Sequence, residues 1–233
     1  MTRSPNHEVA RMFDRISRTY DFLNHLFSFN LDRRWRNLTV RHLELHPGQI
    51  ILDCGAGTGD MALTAHHHTA NICTVLLDPA QSMLSLADGK AGIIAPGRFR
   101  MVRGGAESLP FADEAFDRFM IAFGVRNFAD LQTGLAELFR TLKKGGRGAI
   151  LEFTPDRSRF IDALFRVYMR RIMGPLGAAI SGDRDAYRYL SRTVESFTAS
   201  RELAARLSAV GFHGVEMRKL AFGVATLFLM DKS

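Results

Sequence analysis

Cysteine, tryptophan and proline are scarce in this chain: two, one and seven among 233 residues. Cys54 and Cys73 lie in separate apolar runs rather than at C-x-x-C spacing, so a disulfide scaffold, a structural zinc site and a redox pair lack support, and a reducing, cytoplasmic setting is expected. No apolar run reaches the roughly 18 to 20 residues that a bilayer crossing requires, and residues 1–13 mix charged with apolar side chains. Neither a secreted nor an integral membrane protein is expected. Internal repeats and low-complexity tracts are missing too, and the longest turn-like cluster, residues 88–97, is too short for a linker. One domain, 1–233, is the expectation.

What is present is a chain 46% hydrophobic, enough for one large core, with a net charge of +7. That charge favours anionic surfaces, nucleic acid or acidic lipid, without choosing between them. Val9, Met12, Phe13, Ile16 and Tyr20 repeat at the spacing of one helical face and predict N-terminal helices over 1–45. From residue 50 the pattern changes to apolar runs at 50–52, 73–77, 99–102, 116–123 and 148–153, alternating with helical stretches, which predicts βαβ units and a doubly wound, mostly parallel sheet. A helical insert follows at about 158–201. The last two runs, 215–220 and 225–230, are separated by only four residues, too few for a parallel crossover, so an antiparallel hairpin must close the sheet. The fold class expected is α/β with seven strands, an order that resembles class I methyltransferases.

The stretch Ile51-Leu52-Asp53-Cys54-Gly55-Ala56-Gly57-Thr58-Gly59-Asp60 reads as a strand, a glycine-rich turn and a helix start, where backbone can approach a ligand closely. A dinucleotide fingerprint would need glycine at position 60; Asp60 there would repel a pyrophosphate. S-adenosylmethionine, cationic and without phosphate, is better matched by Asp53 and Asp60, although Asp60 reads equally as an acid placed to stabilise a helix start. Asp78 ends the second strand about 20 residues after the turn, the spacing expected for bonding a ribose diol. Gly105 and Ala106 follow the third strand, where small residues can flank an adenine ring. Phe116-Asp117 is read as the corresponding end of the fourth strand.

Beyond the cofactor turn, several stretches resemble the quinone C-methyltransferases of ubiquinone and menaquinone biosynthesis over nearly the whole chain. They are Val9-Ala10-Arg11-Met12-Phe13-Asp14, Tyr20-Asp21-Phe22-Leu23-Asn24, Phe123-Gly124-Val125-Arg126-Asn127, Leu151-Glu152-Phe153, Tyr187-Arg188-Tyr189-Leu190 and Gly211-Phe212. The resemblance implies that Thr58, Asp78, Gly105, Ala106 and Ala122 contact S-adenosylmethionine, alongside Asp53, Gly55, Gly57 and Gly59 of the turn. Three departures stand out: Gly105 where many relatives carry asparagine, Ala122 where many carry serine, and Lys143-Lys144-Gly145-Gly146 for the usual Lys-Pro-Gly-Gly, a turn change expected to affect stability more than chemistry.

Methylating an aromatic carbon needs an electron-rich ring, which a phenolate supplies, held in line with the methyl donor. Arg126, which stays protonated, is the candidate for holding that oxyanion, beside Asn127, with Tyr20, Tyr187 and Tyr189 as further hydrogen-bonding candidates. The implied partner is a prenylated quinol. In the insert, Ile161, Leu164, Phe165, Tyr168 and Ile172 fall on one helical side and Arg159, Arg166 and Arg170 on the other, which is read as ordinary core packing or as a lid touching anionic membrane at its inner, cytoplasmic face. Adjacent His66, His67 and His68 point in different directions and read as a solvated helix end, so no metal is expected. Another small aromatic acceptor, or a non-catalytic cofactor-binding subunit, stays open. A nucleic-acid methyltransferase lacks the Asn/Asp-Pro-Pro-Tyr/Phe stretch it would need, and no nucleic-acid partner is expected. Ring type, tail length and homodimer formation are not specified.

Overall fold

A computed structural model of the protein describes residues 5–233. Two helices lead, α1 (Pro5–Phe27) and α2 (Leu31–His42), followed by β1 (Ile50–Cys54), α3 (Asp60–His68), β2 (Cys73–Asp78), α4 (Gln81–Ile94), β3 (Phe99–Arg103), β4 (Phe116–Ala122), α5 (Leu131–Thr141) and β5 (Leu142–Phe153). Three further helices, α6 (Arg159–Tyr168), α7 (Gly174–Ser181) and α8 (Arg184–Ser196), precede α9 (Ser200–Val210), β6 (His213–Leu220) and β7 (Ala225–Asp231). The strands form one seven-stranded sheet in the order β3-β2-β1-β4-β5-β7-β6. β1 to β5 pair in parallel, and β7 runs antiparallel to both β5 and β6. The terminal hairpin and doubly wound order expected from the sequence are therefore present.

Period-two alternation builds the two faces of the sheet. In β1, Leu52 and Cys54 turn toward α5 and α9, where Leu135, Leu138, Leu203 and Leu207 are buried, while Ile51 turns toward Val40 of α2, Met61 of α3 and Leu84 of α4. The strand order reverses between β1 and β4, which opens a crevice at the carboxyl ends of the strands. Met12, Ile16 and Leu23 of α1 pack on Ala186 and Tyr187 of α8, so the N-terminal helix and the insert meet above that crevice.

Several local expectations are corrected. Residues 88–97 are mostly helix, because α4 continues to Ile94; the glycines at 89 and 92 imitate a turn while Ala87 and Ala91 hold the helix to the core. Residues 143–146 are a bulge within β5, marked by a register shift against β4, rather than a separate turn. Phe116 and Asp117 begin β4, at the edge opposite the crevice, where Asp117 accepts the Ile50 amide and pairs with Lys143.

In α6 the inward side chains are Phe165 and Tyr168, continued by Met169 and Met173 of a π-helical turn. Leu164 and Ile172, expected on that stripe, are exposed. For Ile172 the one-residue offset of the π turn at Met169–Met173 breaks the 3.6 periodicity on which the expectation rested, whereas Leu164, in the regular α6 before it, lies at the outer edge of the stripe. Of the three arginines read on the opposite side, two are paired, Arg166 with Asp162 and Arg170 with Glu195. His66 is half-buried against the Phe99 ring, and burial lowers its pKa to about 4; only His67 and His68 are exposed.

Candidate active site

At the carboxyl end of β1 the chain turns at Gly55 and Gly57, both with positive φ, and enters α3. Asp78, at the end of β2, reaches across: its Oδ2 accepts the Gly57 amide at 2.8 Å and its Oδ1 accepts the Ala80 amide at 2.8 Å. Burial raises the Asp78 carboxyl to about 6, against the lowering effect of those two bonds. A narrow cleft runs beside it, lined by Gly55, Gly57, Asp78, Gly105, Ala106 and Ala122. Side-chain-free backbone and one carboxylate suit a neutral adenosine, with the acid accepting from a ribose diol. Val9, Phe13 and Tyr20 of α1 close the cleft from above; Tyr20 was a candidate from the sequence, while Val9 and Phe13 were assigned no role in the site.

Asp53 and Thr58 lie deeper, in a small recess under the glycine turn that Tyr20, Arg36, Asp60 and Ala122 also line. Asp53 accepts the Ala62 amide of α3, and burial pushes its carboxyl up to about 7. The Thr58 hydroxyl donates to Asp21 of α1, whose other oxygen meets Lys90, and Lys90 also pairs with Asp60. Asp60 is thus an ion-paired acid in the first turn of α3. Gly59 lines neither space. A Cβ there would stand 3.1 Å from Ala87 Cβ and Leu76 Cδ2, so its glycine serves helix-on-strand packing.

A second, apolar cavity of about 220 Å³ adjoins the cleft. Trp35, Phe123 and Phe153 form its aromatic wall, Phe123 and Phe153 stacking at 4.5 Å between centroids, and Phe27, Phe165, Met169, Met173 and Leu190 supply much of the remainder. Tyr20 and Phe123 line both spaces. Phe123 holds a left-handed backbone, φ 58°, with its amide bonded to the Leu151 carbonyl. That conformation is disfavoured for a bulky residue. It sits where β4 ends and the two spaces meet.

Arg126 lines the apolar cavity with its side chain only 3% exposed. One Nη donates to Glu152 at 2.7 Å and to the Phe123 carbonyl, while its buried Nε has no partner among the described residues. Glu152, fully buried in β5, also accepts the Arg126 and Phe153 amides. Sequence reasoning assigned Glu152 no role, although an acid inside an apolar strand was a signal. The Tyr20 hydroxyl bonds Asn24, and burial raises its pKa, opposed by nearby Arg126 and Arg36. Asp32, also on the cavity wall, is raised by burial but ends below its usual value because Ser28, Arg36 and His25 all bond or face it.

The remaining tyrosines divide. Tyr189 donates to Asn127 Oδ1 at 3.1 Å, and Asn127 lines the cleft, so Tyr189 positions Asn127. Tyr187 lines neither cleft nor apolar cavity: it packs edge-on against Phe27 and lies so close to Gly177 that a Cβ there would come within 2.4 Å of its ring. The structure therefore places Tyr187 in packing between α1, α7 and α8. Among the described residues no group of three or more His, Cys, Asp or Glu side chains is arranged to hold a metal.

Comparison with known proteins agrees with this geometry. The model of the ubiE/COQ5 methyltransferase family matches residues 1–232. A demethylmenaquinone methyltransferase of Thermus thermophilus is 44% identical over 223 residues, 95% of this chain and 100% of that protein. A ubiquinone/menaquinone biosynthesis C-methyltransferase of Geobacter sulfurreducens is 39% identical over 226 residues, 96% of this chain and 88% of its own length. Among solved structures, a SAM-dependent methyltransferase of Thermotoga maritima superposes with a TM-score of 0.67 at 20% identity, covering 97% of this chain and all of that one, a likeness of fold.

Proposed function

Because this chain belongs to the ubiE/COQ5 methyltransferase family and is an S-adenosylmethionine-dependent methyltransferase, we propose that it methylates a ring carbon of a prenylated quinol held in the apolar cavity. The observation that carries this reading is the shared wall: Tyr20 and Phe123 face both the cleft and the cavity, so a ring lying against them is next to the cofactor. Bound in the cleft, S-adenosylmethionine supplies an electrophilic methyl group. The protein's own task is to bind the ring in line and keep its oxygen negative. Arg126 does the second, offering its unpaired Nε–H to the phenolate while Glu152 fixes the guanidinium. Tyr20 and Asn127 flank the transfer point, and Phe123, Phe153 and Trp35 exclude water. Asp32 is the cavity-lining carboxylate that can take the ring proton displaced by the methyl group.

The tail reading extends to the surface. Phe160, Leu164 and Val167 form an outward apolar ridge on α6, 77%, 60% and 57% exposed, and Phe29, which lines the cavity, is itself exposed. No helix among the described residues is long and apolar enough to cross a membrane. The ridge, edged by exposed Arg159 and Arg171, fits the surface of an anionic bilayer, with the prenyl tail leaving the cavity past Phe29. Changing Phe160, Leu164 and Val167 together to serine should abolish sedimentation with acidic vesicles; sedimentation unchanged by the triple substitution, or independent of acidic lipid, would remove the membrane contact from the reading.

The catalytic test incubates the protein with methyl-labelled S-adenosylmethionine and two reduced acceptors, a demethylmenaquinol and a demethylated ubiquinol precursor, followed by organic extraction and mass analysis. Label on a ring carbon is expected and its carrier identifies the ring class. Cofactor binding with no labelled lipid would overturn the quinol assignment.

A further inference from the structure

Two buried guanidiniums in the site leave their Nε–H groups without partners among the described residues, Arg126 and Arg36. Arg126 faces the apolar cavity, and its orphan belongs to the substrate side. Arg36 differs. Its side chain is 9% exposed, one Nη binds Asp32, and beyond lining the cavity it forms a wall of the recess beneath the glycine turn, together with Tyr20, Asp53, Thr58 and Asp60. That recess brings one guanidinium and two carboxylates onto the walls of a space continuous with the glycine turn that also borders the cleft.

The cofactor is chemically two-ended. Its adenosine is neutral and matches Asp78 and the small residues at 104–106; its methionyl end is an α-amino acid with one ammonium and one carboxylate. The recess carries both complementary charges, and a carboxylate is the group a guanidinium fork binds best. Asp53 and Asp60 face the ammonium, which leaves the carboxylate for the cation. We propose that Arg36 binds the α-carboxylate of the cofactor's methionyl end, making α2 part of the cofactor site.

The assignment gives Arg36 a purpose that Asp32 alone does not, since Asp32 occupies only one Nη. It also separates two effects a merely structural arginine would mix: recognition of the amino-acid end and recognition of adenosine. Calorimetric titration of wild type and Arg36→Gln with S-adenosylhomocysteine, which has the carboxylate, and 5′-methylthioadenosine, which lacks the whole amino-acid end, reads them independently. The expected result is a loss of about 10- to 100-fold for S-adenosylhomocysteine with methylthioadenosine unchanged within about twofold. Equal losses for both, or none for S-adenosylhomocysteine, would overturn the proposal.

Should Arg36→Gln fail to fold, wild type alone still decides, because decarboxylated S-adenosylmethionine should bind at least about tenfold more weakly than S-adenosylmethionine itself. Equal affinities for those two would overturn the assignment of Arg36. If wild type bound no adenosyl compound at all, the cofactor site itself would be wrong and the proposal would fall with it.

Discussion

The cleft at the strand ends and the apolar cavity under the helices share two side chains, yet they satisfy their polar groups by different means. Around the cleft and the recess beneath it, carboxylates bond to backbone amides of neighbouring turns: Asp53 to Ala62, Asp78 to Gly57 and Ala80. Around the cavity, side chain meets side chain, as in Arg126 with Glu152 and Asp32 with Ser28 and Arg36, and at the border of the cleft Tyr189 holds Asn127 in the same way. A backbone amide remains when one residue is changed, so an acid anchored this way can become an amide without leaving a charge stranded. A buried ion pair cannot lose one member so cheaply. The chemistry on the cavity side is therefore tied to its stability, whereas on the cleft side the two can be varied separately.

The largest expected effect tests that coupling. Glu152→Ala should destabilise the protein by about 3–5 kcal/mol, because a buried guanidinium loses its counter-charge. Replacing both partners, Arg126→Met with Glu152→Leu, should restore part of that stability, the Arg126 and Phe153 amides that Glu152 also accepts staying unpaired, while abolishing turnover, since the oxyanion donor is gone. Urea denaturation alongside the labelled-methyl assay measures both. A stable Glu152→Ala single variant, or an active double variant, would remove the contrast between the two regions. Arg126→Ala alone should likewise stop turnover with little loss of cofactor affinity.

On the cleft side, Asp53→Asn should do the opposite at high pH. The folded carboxyl titrates near 7 against about 3.8 for the free group, so folding favours its protonated form, and wild-type stability falls as pH rises from about 4 to about 7. Asparagine keeps an oxygen for the Ala62 amide and carries no charge. The variant should therefore be more stable than wild type at pH 8, by at most about 4 kcal/mol, with the advantage vanishing below pH 4. Thermal unfolding across that range checks it. Equal stabilities at pH 8 would show that the Asp53 charge is not strained by burial.

Asp78→Asn is expected to act on binding. A ribose diol donates to the ionised carboxylate, so wild-type affinity for S-adenosylhomocysteine should decline as pH falls through about 6, where Asp78 gains its proton. The variant should bind about 10- to 100-fold more weakly at pH 8 and lose that pH-dependent limb. An unaltered pH profile in calorimetry would move the diol contact elsewhere.

The same contrast explains what could be read in advance. The β1 turn, Asp78 and the residues at 105–106 are near neighbours of strand ends, and a glycine pattern or an acid after an apolar run marks such places directly. The hairpin followed from the length of one gap. Arg36 did not stand out, because Arg33, Arg34 and Arg36 look alike in sequence and differ only in which helical face Trp35 and Val40 draw inward. Tyr187 and Tyr189 sit two residues apart on α8 and so point to different sides, one into helix packing and one to Asn127. Periodicity could have separated them, but not said which side the site occupies, since that depends on how the insert docks against α1.

Tyr189 offers the mildest test of the comparison. Its hydroxyl donates a single neutral hydrogen bond to Asn127, so Tyr189→Phe should cost about 0.5–1.5 kcal/mol, a few-fold to about tenfold in turnover. Because Asn127 borders the cleft and Tyr189 does not, the loss should appear in kcat, from a less well held amide at the transfer point, rather than in S-adenosylhomocysteine affinity. Asn127→Ala should then be insensitive to the further change Tyr189→Phe, since the group being positioned is already gone. If the two losses simply added, the tyrosine would be acting on the substrate by another route, and the cavity side would hold a second polar contact independent of Asn127.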